Sequence, residues 1–87
     1  MQDRVRGILI SALRAAGDWR PSIPAVEQAI VAGDLTVPLD RLAFDSLAWM
    51  EFCISIELQS RHELTPADVE SMGSISDLEN WLRARLD

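Results

Sequence analysis

Apolar residues in the first part of the chain recur at intervals of three and four, with polar residues between them. This spacing places the apolar residues on one face of an α-helix and predicts a first helix over residues 4–16. The residues that share this face are Val5, Ile8, Leu9, Ala12, Leu13 and Ala16. Asp3 stands where a helix cap is favoured and Gly17 where helices commonly end, so both ends of the helix are marked.

A long connection over residues 17–44 separates this helix from the next apolar stretch, and it is interrupted by Pro21, Pro24, Gly33 and Pro38. Its middle part, PAVEQAIVAG, begins at a proline and stops at a glycine, which is the order typical of a short helix. We therefore predict roughly two turns of helix inside the connection.

The next stretch begins at Asp45 and contains no glycine or proline as far as Arg61, which predicts a long helix. At roughly 100° per residue this helix is apolar on two opposite sides. One side consists of Trp49, Phe52, Cys53 and Ile56, and the other of Leu47, Met50, Ile54 and Leu58. A small bundle buries one side easily, so the second is either covered by the connection or left for a partner. We expect Leu47 to be partly covered, and Met50 and Ile54 to be better candidates for a docking surface.

Two capped helices are predicted after the long helix. TPADVESMG contains Thr65 as cap, a proline in the first helical position and Asp68 in the capping-box position, which predicts a helix over residues 66–72 ended by Gly73. SISDLENWLRARL follows the same plan, with Ser74 as cap and Asp77 three residues later. The face of this last helix consists of Ile75, Leu78, Trp81 and Leu82. No stretch has a convincing strand pattern, so we predict an all-α four-helix bundle.

Composition restricts the fold and the partners further. With 87 residues, of which 48% are hydrophobic, the chain fits a single domain over residues 1–87. Its formal net charge of −6 repels nucleic acid and favours partners with basic surfaces. The single cysteine, Cys53, makes no internal disulfide, and no apolar run is long enough to span a bilayer. We therefore expect a cytoplasmic monomer.

Ser46 is the residue whose position points to chemistry. It is expected in the first turn of the long helix, where free backbone amides and the helix dipole stabilise an anion such as a phosphate joined to its oxygen. The ordinary interpretation is a capping or surface serine. A catalytic role is disfavoured, because the only histidine, His62, would lie about 24 Å away along the same helix. The sequence contains no paired cysteine or histidine ligands for a metal.

The stretch LAFDSLAWMEF resembles the attachment motif of acyl carrier proteins, in which an Asp-Ser-Leu triplet opens the second helix of a four-helix bundle. The resemblance extends from about Leu42 to Leu82. Downstream, ELTPADVESMGSISDLENWL is similar to the short third helix and the last helix of that family. The resemblance implies a bundle of the acyl-carrier type, with a long loop between helices one and two and a short third helix.

The resemblance also implies a function for particular residues. Ser46 matches the serine that receives 4′-phosphopantetheine from coenzyme A, through a phosphodiester made by a phosphopantetheinyl transferase that uses Mg²⁺. The thiol of this arm would hold acyl groups as thioesters for loading and transferring enzymes, and the carrier itself would catalyse nothing. Asp45 and Leu47 match flanking positions that partners read. The matching positions on the recognition helix are Met50, Glu51, Ile54 and Glu57.

The chain also departs from the pattern of that family. The departures are Ala43 for a usual glycine, Ala48 and Leu58 for frequent acids, and Ser60 for a large apolar residue. A less acidic recognition helix favours a discrete carrier of a specialised pathway, such as polyketide, nonribosomal peptide or modified-lipid assembly. Asp45 before the serine favours an acyl over a peptidyl carrier. Two alternatives remain, a peptidyl or aminoacyl carrier and an unmodified helical adaptor that binds through Met50 and Ile54.

Several other residues have structural interpretations. We expect Cys53 to be a small buried hydrophobe, because free cysteines are among the most buried residues. Trp49, Phe52 and Trp81 are expected in the core, whereas Trp19 either covers the bundle or is half exposed. His62 is expected to be an exposed residue at a helix end.

Overall fold

The computed structural model describes residues 4–17 and 22–86, and all regular structure in these ranges is helical. The five α-helices are α1 (Arg4–Gly17), α2 (Ser22–Ala32), α3 (Ser46–Ser60), α4 (Pro66–Glu70) and α5 (Ile75–Leu86). A short 3₁₀ helix, Leu39–Leu42, lies between α2 and α3. The all-α prediction is confirmed for the described part of the chain, in which β pairing is limited to one bridge between Pro38 and Ser74. None of the described helices is long and apolar enough to cross a bilayer.

Helix α1 is the centre of the bundle, because it contacts α2, α3 and α5. All six residues of its predicted apolar face are buried. An ion pair joins α1 to α5, since Arg6 Nε lies 3.3 Å from Glu79 Oε2. Within α5, Arg83 Nη2 lies 3.1 Å from the same oxygen. The spacing of apolar residues in α1 therefore predicted both the helix and the side it buries.

Helix α2 is longer than the predicted two turns. It covers 11 residues, Ser22–Ala32, and ends at Gly33, whose φ of +90° is a conformation that glycine adopts at little steric cost. Its buried residues are Ile23, Val26 and Ile30. Arg14 Nε lies 2.8 Å from Glu27 Oε1 and joins α1 to α2. The connection thus adds a helix to the core, and the prediction of a helix inside it is confirmed.

The segment before α3 is fixed to the junction between α4 and α5. Leu39 donates its backbone N–H to the carbonyl of Gly73 over 3.0 Å, and Ile75 donates to the carbonyl of Val37 over 3.0 Å. Leu39 and Leu42 of the 3₁₀ helix are buried. Backbone bonds between distant parts of the chain therefore hold the segment that leads into α3.

Local capping determines the start of α4. The backbone N–H of Asp68 donates to Thr65 Oγ1, and that of Thr65 donates to Asp68 Oδ2, which forms the predicted capping box. These hydrogen bonds from Thr65 lower the pKa of Asp68, because they favour its charged form. The helix ends at Glu70, two residues before the predicted end.

The start of α5 depends on Asp77. Its Oδ2 accepts hydrogen bonds from the backbone N–H groups of Gly73, over 2.7 Å, and Ser74, over 3.2 Å. The prediction that Asp77 answers the cap position is therefore confirmed.

The predicted burial is confirmed for Phe52 and Cys53, but two tryptophans are less buried than predicted. Phe52 is fully buried, whereas Trp49 and Trp81 are only partly buried and pack against the edge of the core. The outer part of Trp81 is covered by its own helix, since the Arg85 guanidinium lies 3.9 Å from the ring centre. The predictions for Asp3 and Trp19 fall on residues outside the described ranges.

Candidate functional site

The candidate site begins where Asp45 caps α3. Asp45 has an extended backbone, and its Oδ1 accepts a hydrogen bond of 2.8 Å from the N–H of Ala48. Its carbonyl accepts from the N–H of Trp49 over 3.0 Å, which is the first hydrogen bond of the helix. This capping explains an aspartate at this position, whether or not a partner also reads it.

Ser46 is the first residue of α3 and is exposed. Its hydroxyl has no hydrogen-bond partner among the described residues. The Asp45 carboxylate occupies the amide of Ala48, and helix geometry leaves the amides of Ser46 and Leu47 without partners inside the helix. A phosphate on Ser46 Oγ would therefore meet free amides and the positive end of the helix dipole, which offset its repulsion by Asp45.

Ala43 makes the turn that directs the chain into α3. Its φ and ψ of 54° and 36° are left-handed, and its N–H donates to the carbonyl of Asp40 over 3.2 Å. Alanine is strained in this conformation because its Cβ approaches the backbone, whereas glycine is not. The turn gives a physical reason for a glycine at this position, and this chain has an alanine instead.

The second apolar side of α3 is exposed along the whole helix. We call it the exposed stripe, and its residues with their exposed fractions are Leu47 (63%), Met50 (52%), Ile54 (53%) and Leu58 (76%). The prediction of two apolar sides is confirmed, and so is the exposure of Met50 and Ile54. The expectation that the connection partly covers Leu47 is wrong, because the connection packs against α1 through α2 and against the α4–α5 junction instead.

Two acids border the exposed stripe. Glu51 and Glu57 are both exposed, and at roughly 100° per residue they lie on opposite borders of the stripe. No basic residue lies on α3. A surface that matched the stripe would therefore be apolar in its centre and basic on both sides.

A groove of about 560 Å³ lies on the other side of Ser46. Its lining residues belong to the 3₁₀ helix and the turn after it, to the first turns of α3, and to α4 and the short segment after α4. They are Leu39, Asp40, Ala43, Phe44, Ser46, Trp49, Met50, Pro66, Val69, Glu70 and Met72. Sequence reasoning missed this groove, because its walls come from segments that are distant in the chain and share no periodic pattern.

Aromatic side chains form the inner wall of the groove. The ring of Phe44 contacts that of Trp49 edge to face, with centroids 4.9 Å apart, and Trp49 contacts Phe52 in the same way at 5.5 Å. Such contacts position aromatic rings well. Because Phe52 is buried in the core, the wall beside Ser46 is anchored to the centre of the bundle.

Cys53 and His62, the other potentially reactive residues, have no evident role in chemistry at Ser46. Burial raises the pKa of the Cys53 thiol to about 11, so the thiol stays protonated and unreactive at neutral pH. His62 is exposed and follows the C-terminal end of α3, whereas Ser46 begins it, so the two residues lie at opposite ends of this helix. Within residues 4–17 and 22–86, no group of histidine, cysteine and acidic side chains is arranged to hold a metal ion.

Comparison of the chain with protein-family models, with curated proteins and with solved structures finds no match in any of the three.

Proposed function

We propose that this protein is an acyl carrier whose Ser46 takes a 4′-phosphopantetheine arm. The observation that carries the proposal is the Ser46 hydroxyl, which is exposed in the first turn of α3 beside free helix amides and next to the capping Asp45. The resemblance of LAFDSLAWMEF to the acyl carrier motif supplies the identity of the group. The helix does not need the Ser46 side chain as a cap, because Asp45 already provides the cap. The Ser46 hydroxyl is therefore available for attachment of another group.

The chemistry asks little of the carrier itself. A phosphopantetheinyl transferase would join Ser46 Oγ to the pantetheine-side phosphorus of coenzyme A and break the P–O bond of its pyrophosphate. The hydroxyl proton would be lost, and adenosine 3′,5′-bisphosphate would leave. The residues of this chain would hold the new phosphodiester at the helix end, through the amides of Ser46 and Leu47. When bound, the arm supplies a thiol on which acyl groups are held as thioesters and presented to partner enzymes.

The exposed stripe is the surface that we assign to these partners. Apolar side chains exposed to this extent on a single helix are typical of an interaction site. Leu47, Met50 and Ile54 would contact the apolar part of a partner, and Glu51 and Glu57 would contact its basic borders. The stripe starts one residue after Ser46, so an enzyme bound to it would lie within reach of the arm.

Intact mass measurement tests the proposal directly. The protein is incubated with coenzyme A, Mg²⁺ and a promiscuous phosphopantetheinyl transferase. We expect the mass of one phosphopantetheine on the wild type and none on Ser46→Ala. Ser55→Ala is the matched control, because Ser55 lies on the same helix and should leave the addition unchanged. Failure of several transferases to modify the folded wild type would overturn the carrier function.

A second candidate is an unmodified helical adaptor that binds a protein through Met50 and Ile54. The exposure of the stripe favours it equally, since that surface does not depend on an arm. The two candidates differ in the role of Ser46. In an adaptor Ser46→Ala leaves cellular function intact while Ile54→Glu abolishes it, whereas in a carrier both substitutions abolish it.

A further inference from the structure

The groove beside Ser46 has a chemical character that bears on which acyl groups the arm can hold. Its walls are largely apolar, with aromatic and thioether side chains, and its volume of about 560 Å³ lies in the usual range for small-molecule sites. The apolar residues of the lining are Leu39, Phe44, Trp49, Met50, Pro66, Val69 and Met72. Ser46 itself lines the groove, so a flexible chain attached to its oxygen begins at the groove wall.

The charges of the groove all have the same sign. Asp40 and Glu70 both line it and are exposed, and no lysine, arginine or histidine is among the lining residues that the structure describes. Neither carboxylate makes a hydrogen bond or an ion pair within residues 4–17 and 22–86. A bound group that carries a carboxylate would therefore meet two negative charges without a compensating cation.

We propose that this groove admits uncharged acyl groups held on the Ser46 arm and disfavours carboxylated ones, with Asp40 and Glu70 as the residues that determine this specificity. The inference rests on the proposed function, because it needs the arm. Methionine and aromatic walls adapt to apolar chains of different shape, so the groove discriminates between acyl groups by their charge and not by their shape.

Two physical effects act in the same direction. An apolar acyl group gains free energy when it leaves water for the groove walls, whereas a carboxylate at its end must stay at the mouth to keep its hydration. At the mouth the carboxylate approaches Asp40 and Glu70, and the net charge of −6 adds to the repulsion. The first effect belongs to any apolar groove, and the second belongs to these two residues.

The experiment compares two acyl groups of equal chain length, hexanoyl and adipoyl, which differ by a terminal carboxylate. Each is loaded from its coenzyme A thioester by a promiscuous transferase, and loading is checked by intact mass. The first measurement is the Tm relative to protein with an unacylated arm. The second is the chemical shift of the Trp49 indole N–H, which reports occupation of the groove.

We expect hexanoyl to raise the Tm by about 4 °C or more, because roughly 1 kcal/mol of stabilisation has that effect in a domain of this size. Adipoyl should raise it by less than half as much and move the Trp49 signal less. In the double variant Asp40→Asn, Glu70→Gln, adipoyl should recover at least half of the deficit, while hexanoyl is unchanged. High salt should recover part of the deficit in the wild type.

The double variant Asp34→Asn, Glu63→Gln is the matched control, since it removes the same charge from exposed positions that line neither the groove nor the exposed stripe, and an asparagine oxygen can still accept the hydrogen bonds from Thr36. Equal Tm shifts for the two acyl groups in the wild type would overturn the proposed selection. So would a deficit that the groove variant leaves unchanged, or one that the control relieves equally well. Loading without selection leaves the carrier function standing, whereas failure to load any arm removes both.

Discussion

The two apolar sides of α3 have similar residues and opposite environments. One side holds Phe52 and Ile56, which are fully buried against the rest of the bundle, and the other holds Ile54 and Leu58, which are more than half exposed. Both sides satisfy the same helical spacing, so periodicity alone does not distinguish them. The difference shows that an apolar side is a core only where another segment covers it, and that an uncovered one is available for binding.

The largest expected effect is on the buried side. Phe52→Ala should lower the free energy of unfolding by roughly 3 to 5 kcal/mol, because it removes a large buried aromatic ring and leaves a cavity. Chemical denaturation monitored by circular dichroism measures this. Leu58→Ala, on the exposed stripe, is the control and should change the value by about 0.5 kcal/mol or less. Equal losses for the two variants would contradict the division of α3 into a covered and an uncovered side.

The next effect concerns binding through the exposed stripe. Met50→Glu and Ile54→Glu should leave melting nearly unchanged, because both side chains already face water. Each should slow modification of Ser46 by a transferase that binds this surface by on the order of tenfold, or about 1.4 kcal/mol, since a carboxylate would be buried unpaired at the interface. Initial rates of arm addition measure this, with Glu63→Gln as an exposed control away from α3. Unfolding of the Glu variants, or undiminished rates, would remove the stripe as the docking surface.

A smaller effect is expected at the turn that leads into α3. Ala43→Gly should raise the stability by roughly 0.5 to 1 kcal/mol, because glycine relieves the left-handed strain at φ 54°. Ala25→Gly, in the ordinary helical backbone of α2, should lower it by a similar amount. Thermal melts of both variants test the sign. A loss at both positions would show that residue 43 is not strained.

The smallest effect is electrostatic and lies on the border of the exposed stripe. Glu51→Lys should weaken binding to a basic-bordered transferase by a few-fold at low salt and by less at high salt, since surface charges are screened by ions. Measurement of Kd at two ionic strengths tests this. Glu63→Lys changes the net charge equally and should have a weaker effect. If both variants respond alike, then net charge and not the stripe border governs the encounter.

Sequence reasoning succeeded where the interactions are local. The start of the long helix at about Asp45, the capping box of Thr65 and Asp68, and the contribution of Asp77 to the start of α5 were all predicted. Each involves groups within about one helical turn, so the residue types and their spacing are sufficient. The exposed position of Ser46 follows from the same reasoning, because the first residue of a capped helix has few neighbours.

Predictions that depend on distant contacts were less accurate. The length of α2 was underestimated, because the helix begins at Ser22, ahead of the proline that marks a helix start, where Ile23 is buried and Ser22 Oγ donates to the carbonyl of Leu42. Trp49 was predicted in the core and lies at its edge, where it lines the groove. Aromatic residues suit either environment, so their type does not decide between them.

The sequence by itself determined the helical class, most helix ends, the two apolar sides of α3 and the place of Ser46 at a helix start, because hydrophobic periodicity and capping act over a few residues. Only the tertiary structure decided that the connection leaves the second side of α3 uncovered, how far α2 extends, and that Asp40, Ser46 and Glu70 line one groove. Those outcomes depend on which segments approach one another, and the approach is determined by the joint packing of the whole core.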